Sequence, residues 1–172
     1  MPSLFGGRRR SVFGPGKELG QYRNQLFELT QRIDSRLGQL ADDIDALRRR
    51  DLDPEQTVER LTVHEEALDR EEEALQDMLA PEELHGLHME YETNLERALR
   101  GLVTVERGCA ITRLPHRPPE DEEPYTYYKR GHSNVTHARM RMAEIVDVLL
   151  HWEPGKPAEA TVAARMERQK GA

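Results

Sequence analysis

The sequence predicts an all-α protein, an elongated antiparallel four-helix bundle with coiled-coil-like packing. Apolar residues recur at three- and four-residue spacing along most of the 172 residues, which is the pattern of amphipathic helices. Charged residues make up 33% of the chain, aromatic residues make up 5%, and runs of β-branched residues are absent, so strands are not expected. A chain of this length is expected to form one domain with its own core.

The clearest predicted helix runs from about 81 to 109 and is expected to lie in the middle of the bundle. Its apolar stripe keeps a strict four-then-three spacing, and one stripe position is a histidine. The stripe consists of Leu84, His88, Tyr91, Leu95, Ala98, Leu102, Val105 and Cys109. Gly101 beside this stripe, and Gly38 in the preceding part of the chain, are interpreted as points of close helix approach.

The first predicted helix covers about 17–50 and would be roughly 50 Å long. Its stripe consists of Leu19, Tyr22, Leu26, Leu29, Ile33, Leu37, Leu40, Ile44 and Leu47. The second covers about 54–79 and begins with a strong local signal. Asp53 is suited to cap this helix, Pro54 suits its first position, and Gln56 can reach back as in a capping box. Met78 or Leu79 is expected to close its buried face.

Ala80-Pro81 breaks the second helix, because proline lacks a backbone donor and disfavours helical geometry at the residue before it. We interpret this break as a tight hairpin, with a kinked continuous helix as the alternative. The fourth predicted helix covers about 133–152 and begins at Ser133 or Asn134. The segment 110–132 before it is interpreted as a long loop, which is also long enough to let the fourth helix run parallel to the third.

Both ends of the chain are predicted to lie outside the bundle of residues 17–153. Residues 1–16 are expected to form a flexible basic tail with Arg8, Arg9 and Arg10. These arginines are the candidate contacts to an anionic surface, either lipid or nucleic acid. Residues 154–172 are expected to form a tail or a short helix. The net charge of −7 argues against nonspecific nucleic-acid binding by the bundle itself.

The candidate metal ligands are His64, His88 and one of Glu71 or Glu72. Imidazole and carboxylate groups at a bundle centre suit zinc, manganese or iron, so a divalent metal is the only cofactor that the sequence suggests. The alternative is that both histidines form hydrogen bonds between helices. Cys109 is the only cysteine, which excludes an intrachain disulfide and a cysteine-based zinc site.

Three functional hypotheses follow, and the first is preferred. The protein is a non-catalytic interaction or scaffold protein that associates with itself or with another helical protein. This hypothesis depends on Phe27 and Leu19, which lie partly off the stripe of the first helix, and on the expected overhang of that helix, which a second copy would cover. The second hypothesis is a metal-binding bundle, an oxidoreductase or hydrolase built on His64 and His88. The third is a peripheral adaptor held by the basic tail.

No catalytic residue is identified from the sequence. The serines lie outside any nucleophile-elbow context, and no glycine-rich phosphate loop follows a strand. The chain contains no apolar run near the roughly 20 residues of a membrane span, and its first residues lack the apolar core of a signal peptide. We therefore expect a cytoplasmic protein.

Overall fold

A computed structural model describes residues 15–156 and 158, and within them it shows an all-α four-helix bundle. The helices are α1 (Pro15–Arg48), α2 (Pro54–Gln76), α3 (His85–Thr112) and α4 (Pro124–His151). A single 3-10 turn, Glu82–Leu84, leads into α3. Each helix packs against two neighbours, in the cyclic order α1, α2, α3, α4. Short connections join consecutive helices, so neighbouring helices run antiparallel.

The predicted stripes form the core. The α1 stripe is buried from Leu19 to Leu47, and the α3 stripe is buried from Leu84 to Cys109. Trp152 and Ala158 are also buried and belong to the same core. The sequence analysis expects the first helix to have an uncovered, overhanging end. From Leu19 onward, the stripe of this helix is instead buried by other parts of the same chain. That argument for a second copy does not hold.

The turn between α1 and α2 has the chemistry that the sequence predicts. Asp53 Oδ1 accepts a hydrogen bond from the Gln56 backbone N–H at 2.8 Å, and Gln56 Oε1 accepts one from the Asp53 N–H at 3.2 Å. This reciprocal pair confirms the capping box. Before it, Arg50 takes a φ of 67°, a left-handed conformation that ends α1 and reverses the chain.

The α2–α3 connection is a hairpin, as preferred from the sequence, but α2 ends three residues earlier than expected. Its last helical residue is Gln76, and the segment 77–81 leads into the 3-10 turn. Because α2 ends early, Leu79 does not contribute to its buried face. Leu79 is 85% exposed, and Met78 is the residue that packs against the core.

The largest difference from the sequence analysis is the start of α4. The helix begins at Pro124, nine residues before Ser133, and the irregular segment shrinks to 113–123. Asp121 anchors this short loop, because its Oδ1 accepts from Arg107 at 2.6 Å and from the Tyr127 hydroxyl at 3.1 Å. The Arg107 guanidinium holds the pKa of the Asp121 carboxyl below its usual range.

Helices α3 and α4 approach each other most closely, and glycines make this possible. A Cβ built on Gly101 would lie 2.9 Å from the Gly131 carbonyl oxygen, and one on Gly108 would lie 2.7 Å from the Tyr128 ring. Gly101 is thus confirmed as a point of close helix approach. At Gly38 the neighbour is the Arg139 guanidinium, which bridges from α4 to Asp34 on α1.

Candidate functional site

The two predicted histidine ligands lie in different layers of the bundle. His64 on α2 contacts Asp43 on α1, with 2.8 Å between Nε2 and Oδ2. His88 on α3 contacts Tyr22 on α1, with 3.0 Å between Nδ1 and the phenol oxygen. Asp43 and Tyr22 are 21 positions apart on the same helix, which is about 30 Å along the axis. The structure therefore does not bring His64 and His88 to one ion.

The two predicted carboxylate ligands have other roles. Both Glu71 oxygens accept hydrogen bonds from the Arg32 guanidinium, at 2.9–3.1 Å, in a bidentate pair between α1 and α2. Burial raises the pKa of Glu72, and the carboxylates of Asp69, Glu96 and Glu92 raise it further. In the part of the chain that the structure describes, no three His, Cys, Asp or Glu side chains gather closely enough to hold a metal ion.

His64 belongs to a chain of three polar side chains. Its Nε2 donates to Asp43, because a carboxylate only accepts, and Asp43 Oδ1 in turn accepts from Arg60 at 2.7 Å. The other ring nitrogen, Nδ1, is buried and has no hydrogen-bond partner. A shallow cleft lies at the surface beside this network, and all three network residues line it together with Glu59 and Val63. Since Nε2 is the nitrogen committed to Asp43 and Nδ1 is sealed from solvent, the arrangement orients helices and offers no free base to a substrate.

His88 belongs to a second network, at the opposite end of the bundle. It is 4% exposed and lies between α1, α2 and α3. Its Nδ1 faces the Tyr22 hydroxyl, and its Nε2 lies 3.5 Å from Glu92 Oε1. Burial lowers the pKa of His88, while the Glu92 carboxylate and the Leu75 carbonyl oppose this shift and His85 adds to it. The folded protein thus holds this imidazole neutral more strongly than an exposed histidine.

This shift predicts a loss of stability in acid. The unfolded chain protonates His88 near its ordinary pKa of 6.5, whereas the folded chain does so only at a lower pH. Between these two values the unfolded state binds more protons, so the free energy of unfolding falls as the pH falls. We expect His88→Gln, a neutral side chain that still offers a hydrogen-bond acceptor to Tyr22, to flatten this dependence. Urea titrations at pH 7.5, 6.5 and 5.5 measure it, and parallel wild-type and variant curves would contradict the prediction.

Tyr91 is a further buried polar side chain that bonds between helices, whereas Thr57 and Asn94 donate to carbonyls four residues earlier in the chain. The Thr30 and Tyr91 hydroxyls are 2.9 Å apart, and burial raises the pKa of Tyr91 to about 12. Cys109 is buried, and burial raises the pKa of its thiol to about 11, so it has little thiolate at neutral pH. Its assignment as a core residue agrees with this burial.

Among the open surfaces of the described residues, two carry exposed apolar side chains beside a groove that involves α1. The first is the α1–α4 face, defined here as Gly20, Asn24, Phe27 and Gln31 on α1 with Leu150 on α4. All five are exposed, and Phe27 and Leu150 keep 43% and 41% of their surface in solvent. Phe27 thus lies off the buried stripe as the sequence analysis expects. Leu19 does not, because it is only 7% exposed and belongs to the core.

The second surface is the hairpin groove, a depression of about 690 Å³ between α1 and α2 that the segment 77–81 closes at one end. Met78, Leu79 and Pro81 give it an apolar edge. Sequence reasoning missed this groove because it extended α2 to Leu79 and expected either Met78 or Leu79 to close the buried face. The exposed position of Leu79 follows from the early end of α2, a boundary that the Ala80-Pro81 pair fixes only to within a few residues.

The predicted anionic-surface contacts Arg8, Arg9 and Arg10 lie outside the described residues. None of the helices in the described part of the chain has an apolar stretch long enough to cross a bilayer. Comparison with protein-family models, with curated proteins and with solved structures finds no match to this chain.

Proposed function

We propose that the protein is a non-catalytic interaction protein that associates with a second copy of itself through the α1–α4 face. The observation that carries this proposal is a stretch of α1 with little charge that leads up to the exposed aromatic side chain of Phe27. Between Leu19 and Phe27 the only charged residue is Arg23, although a third of the whole chain is charged. The centres of protein interfaces are depleted in charge and enriched in aromatic residues.

Arg23 does not add a free charge to the face, because its guanidinium forms hydrogen bonds within the molecule. Its Nε donates to the Leu149 carbonyl at 2.8 Å, and Nη2 donates to the Trp152 carbonyl. These carbonyls are at the C-terminal end of α4, where a cation also complements the helix dipole. The same bonds fix the register of the two helices. Phe27 follows Arg23 by one turn, and Leu150 follows Leu149, so both exposed apolar side chains border one interhelical groove.

This arrangement suits a two-fold interface. A two-fold axis that lies in the interface and runs along the groove, parallel to the helices, would set Phe27 of each chain against Leu150 of the other copy. Such an interface is self-complementary, as closed symmetric dimers require. A lasting dimer buries roughly 1,200 Å² or more, so the polar side chains Asn24 and Gln31 would form part of the contact with the two apolar residues.

The buried polar groups support a non-catalytic role. His64, His88 and Tyr91 each bond to a side chain on a different helix. Hydrogen bonds of this kind specify helix register in a core. The side chains that form them could act in catalysis only if the bundle opened to solvent and substrate.

The test is the oligomeric state of Phe27→Asp. We expect the wild type to sediment as a dimer at tens of micromolar and the variant as a monomer, because a carboxylate at the interface centre would be desolvated without a partner. Val63→Asp is the matched control, since Val63 is 57% exposed on α2, away from this face. It should leave the dimer intact. Analytical ultracentrifugation at several concentrations measures all three proteins, and circular dichroism confirms their helicity.

A monomeric wild type across that concentration range would contradict self-association. A dimer that survives Phe27→Asp but dissociates in the Val63 variant would place the interface on α2 instead.

A further inference from the structure

The hairpin groove has an apolar edge that the described residues leave open. Leu79 is 85% exposed, the highest value among the exposed large apolar side chains of the described residues. Met78, Ala80 and Pro81 line the groove beside it, and Ala74 extends the apolar surface on α2. This surface is continuous with the first turns of α1, because Glu18 and Gln21 form the opposite wall.

The walls of the groove are negatively charged. Glu18 and Glu28 line it from α1, and Asp77 lines it at the end of α2. Among the described residues that line the groove, Arg32 is the only basic one, and its guanidinium is held by Glu71 in the bidentate pair described above. A segment that combines cationic and apolar side chains would therefore complement the groove in both respects.

The chain carries such a segment immediately before α1. Residues 1–14 contain three consecutive arginines, Arg8, Arg9 and Arg10, and no acidic residue precedes Glu18. They also contain Phe5 and Phe13, two of the three phenylalanines of the protein. Charge and apolar content both match the groove.

The segment begins next to the groove and is long enough to follow it. It joins α1 at Pro15, three residues before Glu18 in the groove wall. Fourteen extended residues span up to about 48 Å, whereas Glu18 and Glu28 are only about 15 Å apart along α1. A short covalent connection gives an effective concentration of roughly millimolar, so even a weak contact would be occupied.

We propose that residues 1–14 dock in the hairpin groove of the same molecule. The arginines face Glu28 and Asp77, and a phenylalanine ring covers Leu79. Docking shields Leu79 and neutralises the groove. It also makes the arginines compete between this groove and any external anionic surface. The proposal does not depend on dimer formation, because it uses a different surface.

The experiment places a nitroxide spin label on Ser3→Cys in the full-length chain and measures paramagnetic broadening of backbone amide signals. The buried Cys109 thiol, with its raised pKa, reacts slowly and leaves the new cysteine as the labelled site. We expect the amides of residues 74–81, apart from Pro81, which has no amide proton, to lose at least half of their intensity at 50 mM salt. Those of residues 49–56, apart from Pro54 and at the other end of the bundle, should keep theirs. One molar salt should restore most of the lost signal, since it screens charge.

Charge reversal supplies the matched comparison. The pair Glu28→Arg and Asp77→Arg should abolish the broadening at 74–81. The pair Glu55→Arg and Glu59→Arg makes the same change in net charge on exposed α2 positions far from the groove, and it should leave the broadening unchanged.

Three results would overturn the proposal. One is broadening confined to the first turn of α1, where the label is tethered in any case. The second is broadening at 74–81 that survives the Glu28 and Asp77 reversal. The third is broadening at 74–81 in an isotope-labelled chain without a spin label when it is mixed with a spin-labelled, unenriched chain. The docked segment would then belong to a second copy.

Discussion

Gly131→Ala is expected to lower the free energy of unfolding by about 3 kcal/mol or more, although alanine is the better helix former. A Cβ at this position would lie 2.6 Å from the Gly101 carbonyl oxygen and closer still to Val105 Cγ2. Val105 can shift its side chain, but the carbonyl belongs to the α3 backbone and cannot move without displacing the helix. Interiors of native density do not absorb such an overlap without strain.

Gly20→Ala is the matched control. Gly20 also lies inside a helix, but a Cβ built on it meets no atom within 4 Å. Alanine there should raise stability by up to about 1 kcal/mol, because it restricts the unfolded chain and adds helix propensity. The two substitutions are chemically identical. At concentrations where the protein is a monomer, a difference in sign between them therefore reports the α3–α4 contact. Urea unfolding followed by circular dichroism measures both.

A second substitution tests which atoms clash. Val105→Ala removes the movable neighbour and should cost less in the Gly131→Ala background than in the wild type, because it relieves part of the overlap. The Gly101 carbonyl remains, so the rescue should be partial. A Gly131→Ala protein as stable as the wild type would mean that α3 and α4 lie farther apart than the structure shows.

This contact also explains why the start of α4 was missed in the sequence. Residues 124–132 contain tyrosines, a threonine and Gly131, all of them weaker helix formers than alanine or leucine. Local propensity therefore favours a loop. The structure makes the segment helical because Tyr128 packs on Gly108 and Gly131 packs on Gly101, contacts between residues at least 20 positions apart. Tertiary packing of this kind outweighs propensity and is not visible in a local pattern.

Elements with a local cause were predicted well. The capping box at Asp53 and Gln56 needs only neighbouring residues, and the three- and four-residue spacing of the α1 stripe needs only helical geometry.

The hairpin geometry also argues against the metal hypothesis. In a hairpin that turns near Pro81, His64 lies 17 residues before the turn and His88 lies seven residues after it, so the two cannot share one layer.

The second large effect concerns the buried His64–Asp43 pair. Asp43→Ala is expected to lower the free energy of unfolding by about 2 kcal/mol, because the Nε2–H of His64 loses its acceptor while the ring is 95% buried. Nδ1 already lacks a partner, so the ring would then have neither nitrogen satisfied. The accompanying loss of the Arg60 ion pair contributes little, since 55% of that side chain is exposed.

Asp43→Asn separates the hydrogen bond from the charge. Its amide oxygen can still accept from Nε2, so it should cost less than half as much as alanine. His64→Leu tests the origin of the lost stability by removing the histidine instead of its acceptor. Leucine fills much of the same volume and has no polar atoms, and Asp43 keeps Arg60 as its partner at the surface. We expect this variant to be about as stable as the wild type, because it also removes the unsatisfied Nδ1.

The decisive comparison is the double variant. If the penalty of Asp43→Ala arises from a stranded imidazole, then the same substitution in the His64→Leu background should cost less than about 0.5 kcal/mol, and the coupling energy should be about 1.5 kcal/mol. Equal costs in the two backgrounds would show that Asp43 stabilises α1 by itself. In that case His64 would be a tolerated core residue rather than the group that sets the register of α1 and α2.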